Sequence, residues 1–370
     1  MKNIFFHIFS VSSLVFATPA YANHGITKSD VEPSVAWVDQ FIMSKSWTGS
    51  KLPVGGISGL FFVPSSGKLF GVSDDKASPR IYEFSFSLKS PIRFAITKEI
   101  VFKQKDHSDF AEQTLDLESI VFLKSGQFLV SSEGSSLRKL PPQIFIFSAD
   151  GVLQKELIFP NAFIGDKKGH GIFPNKGPES LTISSDESLL YAGIEGAIRQ
   201  DSIKVGGRGV ARLIEWKFSS KDLTASESAQ YAYVLEKTPS GHDMADPAQQ
   251  TSLTELKNIG PQKFIAMERA WTPPQTVTVN LFNVDCSRAS NIKDKVALAR
   301  EDFVPCTKTL LTSINEFQNK IKPHIDNLEG LAIIDENIVI AADDNFSDKE
   351  INQFLVLHVL KNEKKSEKKK

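Results

Sequence analysis

Acidic side chains recur at matched places along this chain, each at the edge of a short apolar run. Glu118, Glu179, Glu255 and Glu329 each open such a run, and Glu133, Glu195, Glu268 and Asp343 each close the run that follows. A weaker copy has Ser58 as opener and Asp74 as closer. The opener-to-closer offsets are 15, 16, 13 and 14, and 16 in the weaker copy. Carboxylates gathered in one place raise one another's pKa values unless cations neutralise them. Hard cations with oxygen ligands, Ca2+ above all, are the natural answer. A metal so held can in turn bind an anionic phosphate.

The runs between the acids show what must position them. They read GGISGLFFVPSSGKLFGVSDD (55–75), LDLESIVFLKSGQFLVSSEG (115–134), GPESLTISSDESLLYAGIEG (177–196), SLTELKNIGPQKFIAMER (252–269) and NLEGLAIIDENIVIAADDN (327–345). Each is strand, turn, strand. Two further β-like runs follow each of the first four copies, at 80–88 and 93–102, 143–148 and 153–160, 211–218 and 230–237, and 276–284 and 307–314. Only 353–360 follows the last. Four strands per repeat make a propeller blade. The strand missing from the last blade is supplied by VAWVDQFIM (35–43), closing the ring. The fold expected is an all-β propeller of about five four-stranded blades, with room in the long connections for a sixth. In such a ring the first strand of each blade lines the central channel. The openers then crowd toward one mouth, and strand reversal returns the closers to the same face.

Long connections at 103–114, 160–178, 196–210, 238–251 and 285–306 interrupt the pattern. Loops of this length in a compact domain are places for function. Composition fits a globular β protein, with 27 Phe among 370 residues. The net charge of −1 hides a split: the last ten residues hold six Lys and two Glu, so without them and Lys2 the body is near −6. That argues against a basic nucleic-acid-binding body. Residues 361–370 read as a solvated, disordered tail. The first 22 residues read as a secretory signal, with Lys2, an apolar run and an Ala20-Tyr21-Ala22 cleavage site. Cleavage is expected after Ala22, leaving a propeller domain over 23–360. No later stretch is long enough for a transmembrane helix, so a periplasmic or secreted monomer is expected. In an oxidising compartment Cys286 and Cys306 are expected to pair. Closing that loop is worth about 3 kcal/mol in the chain-entropy model.

The order Asp116-Leu-Glu118-Ser, Asn175-Lys-Gly177-Pro-Glu179-Ser-Leu, Met267-Glu268-Arg269, Asn327-Leu-Glu329-Gly-Leu and Asp343-Asp-Asn345 resembles the phytase-like family described as "esterase-like activity of phytase". The resemblance runs from about residue 50 to 360. It implies a β-propeller of secreted bacterial proteins and a link to phosphoester hydrolysis.

The site expected on these grounds has Glu118, Glu179, Glu268, Glu329 and Asp343 as metal ligands. Glu179 and Glu329 stand at the reacting centre, Arg269 steadies phosphate, and His170 serves as a general acid. Arg199, Lys176, Arg138 and Lys139 are further phosphate-binding cations, and His242 and His324 lie in other loops. Ser119 and Ser180 lack a nucleophile-elbow motif and are expected to turn toward a neighbouring blade, which argues against acyl transfer. Two functions remain open. One is a Ca2+-dependent hydrolase of a small anionic phosphoester. The other is a non-catalytic propeller that binds a ligand or protein, its glutamates accepting backbone N–H bonds between blades.

Overall fold

Twenty strands form five antiparallel four-stranded sheets among the residues described by this computed structural model, which are 35–134, 139–165, 169–201, 208–239, 250–272, 276–298 and 302–360. β1 is Val35–Met43. The first blade is β2 (Ile57–Val63), β3 (Lys68–Ser73), β4 (Arg80–Ser87) and β5 (Arg93–Val101). The second is β6 (Leu117–Phe122), β7 (Phe128–Ser132), β8 (Gln143–Phe147) and β9 (Leu153–Ile158). The third is β10 (Pro178–Ile183), β11 (Leu189–Ile194), β12 (Val210–Ser219) and β13 (Thr224–Val234). The fourth is β14 (Ser252–Gly260), β15 (Lys263–Thr272), β16 (Thr276–Asp285) and β17 (Thr307–Ser313). The fifth is β18 (Leu328–Ile334), β19 (Asn337–Ala342) and β20 (Asn352–Val359), completed by β1. The signal segment with Ala22, the tail 361–370, Arg138 and His242 lie outside the described residues.

Burial follows position within a blade. The first strands are buried on both faces, as β6 and β10 show over almost their whole length. Outer strands alternate instead, as β9 does with Leu153 in and Gln154 out. A strand covered on both faces needs a continuous apolar run, and a half-covered one needs alternation. The first strands of successive blades touch in the cyclic order β2, β6, β10, β14, β18 and back to β2.

The core is divided among the seams between blades. Leu60 and Phe84 pack with Val339 and Phe354 between the first and fifth blades. Val72 and Ile81 pack with Val130 and Phe145 between the first and second. Ile144 and Leu129 meet Leu190 and Trp216 in the next seam. Tyr191 and Leu213 meet Phe264 and Phe282 in the one after. Met267 and Leu281 meet Leu331 and Leu355 in the last. Each blade therefore buries one face against each neighbour, and no blade has a core of its own.

Ring closure follows the sequence expectation. β1 pairs antiparallel with β20, from Val35↔Val359 to Met43↔Asn352. Asp344 ties the same junction, accepting from the Gly56 N–H at 2.9 Å and pairing with Lys45 at 2.8 Å. The blade count is five, without a sixth among the described residues. The longest insertion lies against the rim instead. Cys286 and Cys306 are disulfide-bonded, and the loop they close packs Ile292 and Leu298 on Val210 and Ala232.

Candidate metal centre and adjoining cleft

Each first strand carries a β-bulge at one equivalent place. The register with the second strand shifts between Ile57 and Gly59, Leu117 and Ile120, Pro178 and Ser180, Leu253 and Glu255, and Leu328 and Gly330. A bulge leaves one residue unpaired and re-aims its side chain. The residues at that position are Ser58, Glu118, Glu179, Thr254 and Glu329. The closing position is fixed just as firmly. The N–H groups of Asp74, Glu133, Glu195 and Asp343 bond the carbonyls of Gly56, Asp116, Gly177 and Asn327, two residues before each opener. In the fourth blade the corresponding pair is Ser252↔Arg269.

This register corrects the fourth repeat. Its ring members are Thr254 and Arg269, not Glu255 and Glu268. Side chains alternate along a strand, so a one-residue shift turns each to the other face. Glu255 lies buried farther along the channel, 2.8 Å from Lys257 and 3.3 Å from the Ser119 hydroxyl. Burial raises its pKa to about 7 against the pull of Lys257. Glu268 faces the third blade's side. It accepts from the Tyr233 hydroxyl at 2.7 Å and the Glu236 N–H at 2.8 Å, and it pairs with Lys308. As a metal ligand Glu268 is therefore misplaced, and it holds two blades together instead.

The remaining expected acids do converge. Ligand atoms of Glu133, Glu179 and Glu195 lie within 4.8 Å of one another, and so do those of Asp116, Glu118 and Glu133. Glu133 belongs to both groups. Glu329 and Asp343 extend the acidic surface toward Asp74: the Glu329 charge raises both Asp74 and Asp343, and Asp74 raises Asp343 further. Eight carboxylates are gathered in all: Asp74, Asp116, Glu118, Glu133, Glu179, Glu195, Glu329 and Asp343. Three cations answer them. Lys76 pairs with Asp116 at 2.8 Å, Lys176 with Glu195 at 2.7 Å, and Arg269 with Glu329 at 2.6 Å.

The excess of negative charge shows in the titration of the group. Burial first, then neighbouring acids, holds the carboxyls up: Asp74 to about 7 and Glu133 to about 8. Burial also pushes Glu118, Glu179 and Asp343 well above the carboxylate range, with Glu179, Glu195 and Glu329 respectively the largest contributing charges. One buried oxygen, Oε2 of Glu195, has no hydrogen-bond partner, and Asp74 Oδ1 has none either. An orphaned buried carboxylate oxygen is costly. A cation among Glu133, Glu179 and Glu195 would satisfy the Glu195 oxygen and reduce the repulsion there, so the residues present fit a hard metal ion.

Arg269 is not placed to steady a phosphate. Its guanidinium is engaged by Glu329 and by Asn327, which also donates to Glu329 at 3.0 Å. Lys176 is likewise committed, donating to Glu195 and, at 2.7 Å, to Ser252. Cations, Lys76 again among them, also line a cleft of about 550 Å3 that opens beside Asp116 and Glu133. They are Lys76, Lys139 and Arg199, the last stacked on Phe173 at 4.5 Å. His170 is exposed in the loop before β10 and is not among the residues lining that cleft. His324 is 3.6 Å from Asp326. Ser119 turns inward toward the third and fourth blades, with Leu181 O at 3.4 Å, as its sequence context implies.

Sequence reasoning overlooked Asp116 and Lys76. Asp116 stands two residues before Glu118 and Lys76 two after Asp74. That two-residue spacing from an acid of the repeat was the signal available.

A bulged acidic mouth on five four-stranded blades defines a β-propeller with metal-capable carboxylate groups at one pole. Residues 52–346 match the phytase-like family, "Esterase-like activity of phytase", and the chain belongs to it. A relative from Arthroderma benhamiae described as an "Uncharacterized secreted protein" is 27% identical over 184 residues, 42% of this chain. The match spans about a third, 34%, of that protein's length. A glycosyl hydrolase from Bacteroides ovatus is similar in structure, with a TM-score of 0.43 and 10% identity over 88% of this chain and 91% of that one. A Bacillus subtilis arabinanase is similar with a TM-score of 0.39 and 11% identity, over 81% and 93%. Neither structural likeness bears on chemistry.

Proposed function

We propose that this protein is a secreted, Ca2+-dependent phosphoester hydrolase. The observation that carries this reading is the position of Glu133. It belongs to both metal-capable carboxylate groups and also lines the cleft where Lys76, Lys139 and Arg199 stand. A phosphate ester drawn to those cations would present its phosphorus beside the carboxylates. Ca2+ suits an all-oxygen donor set better than softer metals do. When bound, the ion supplies Lewis-acid polarisation and lowers the pKa of water.

The chain's own residues divide the remaining work. Glu118, Glu133, Glu179 and Glu195 would hold the ion, with Asp116 at its cleft edge. Lys139 and Arg199 would orient the substrate's phosphoryl oxygens. Arg269, through Glu329 and Asn327, would keep the far side of the acidic group in place. Secretion is supported by the Cys286–Cys306 disulfide and by the description of the fungal relative.

One observation favours a purely structural part for some acids. Glu268 and Asp344 bond backbone N–H groups in neighbouring blades, as a blade tie should. Neither belongs to the metal-capable groups. The test is phosphate release from phytate and from an aryl phosphate, with Ca2+ and with chelator. Calcium-dependent release supports the reading. A folded protein that releases phosphate from neither substrate would refute it, and the propeller would then be a binding module.

A further inference from the structure

The cleft beside the carboxylates has a lining of two unlike kinds. Among the described residues its charged side chains are Lys76, Lys139 and Arg199 against Asp116 and Glu133, a formal excess of a single positive charge. Lys76 is already bonded to Asp116. The same lining carries apolar groups, Leu140, Pro141, Pro142, Ile172 and Phe173 among them. Phe173 carries the Arg199 guanidinium on its ring, so an aromatic surface and a phosphate-binding fork share one wall.

A polyanion with phosphates on every side would need cations on every side. The described lining offers three cations, one of them already bonded to Asp116, beside two carboxylates and hydrocarbon. A ligand with one phosphate and one apolar body meets both kinds of lining with its own chemistry. The volume of about 550 Å3 admits a ring or two beside the phosphate.

Resting on the hydrolase reading of the same site, we infer that the ligand is a phosphate monoester of an aromatic or otherwise apolar alcohol. Its phosphate lies at Arg199 and Lys139, and its ring packs on Phe173 and the proline wall. A highly phosphorylated polyol lacks the hydrocarbon surface that this wall would bury.

Unreactive phosphonates test this without requiring turnover. Calorimetry in Ca2+ compares 1-naphthylphosphonate with methylphosphonate, whose phosphonate groups are alike. Naphthylphosphonate is expected to bind about tenfold more tightly or better. In Phe173→Ala, checked for folding by its melting curve, that preference should shrink toward equality. Equal affinities, no binding of either phosphonate, or a preference that survives in the folded variant would each overturn the inference. Turnover is scored separately with 1-naphthyl phosphate and phytate. A naphthyl preference without turnover of any ester leaves the ligand inference standing and removes the hydrolase. Turnover of phytate in preference to naphthyl phosphate keeps the hydrolase and sinks the inference.

Discussion

The backbone N–H of Gly177 donates to Glu133 Oε1 at 2.5 Å, across the seam between the second and third blades. One carboxylate thus does two things. Its first oxygen fastens adjacent blades, and the residue still belongs to both metal-capable groups. Neutralising it separates these roles, because an amide oxygen can accept from Gly177 but is a poorer ligand for a hard cation.

In Glu133→Gln the Ca2+ affinity is therefore expected to fall at least tenfold by calorimetry, roughly the scale of losses seen when a ligand's support is removed. In chelator the same variant should melt no lower than the unaltered protein, since one member of a repelling group has gone. Unchanged Ca2+ affinity would take Glu133 out of the site.

Arg269, partly buried, and Glu329, buried, form a pair at 2.6 Å inside the acidic group. Arg269→Met leaves Glu329 without its cation among like charges. Removing one partner of a buried pair costs about 3–5 kcal/mol, to be read from urea unfolding in chelator. Adding Glu329→Gln to Arg269→Met should recover more than half of that loss. No recovery would mean that Arg269 acts through packing and not through charge.

Glu268 offers the opposite pattern to Glu133. Glu268→Gln leaves Lys308 without its carboxylate partners' full charge and weakens the bond from Tyr233. Stability should drop by about 2 kcal/mol, the scale of a charged hydrogen bond, while Ca2+ affinity stays as it was. A large loss of Ca2+ binding would restore Glu268 to the metal centre.

In the proposed site, protons and calcium would compete for carboxylate oxygens. Asp74 and Glu133 have folded pKa values of about 7 and about 8, above their ordinary values of 3.8 and 4.5. The folded state then binds more protons than the unfolded chain between those limits. Stability contributed by these groups is full below about pH 4 and is lost as pH rises toward 8. In chelator the melting temperature should fall across that window by several degrees, and Ca2+ should reverse the fall most strongly at pH 8. A profile in chelator that climbs from pH 5 to 8 would contradict the crowding of acids at the mouth.

The blades were legible in the sequence because each repeat states its own strands. Arg80–Ser87 and Gln143–Phe147 fall where RIYEFSFSL and QIFIFS lie. The ring closure was legible because the last repeat lacked a strand that 35–43 could supply. The fourth blade was misread because an acid in each of two places invited alignment of acid with acid. Glu255 and Glu268 sit one residue to either side of the true ring members, Thr254 and Arg269. The bulge that sets the phase is a property of pairing between strands, and a single strand's residues do not announce it. The cleft was illegible for a related reason. Lys76, Lys139 and Arg199 come from three separate loops, and only the ring brings those loops side by side.

The pairing of β1 with β20 makes the two ends of the domain hostages to each other. Loss of the segment Asn352–Val359 would strip β1 of its only ladder and open the seam where Phe354 packs on Phe84 and Phe94. Contacts this distant in sequence form late. A prematurely terminated polypeptide consequently cannot latch, and would stand open to proteolysis. The circle thereby audits its own completeness, admitting to the folded population only chains translated through to the last strand.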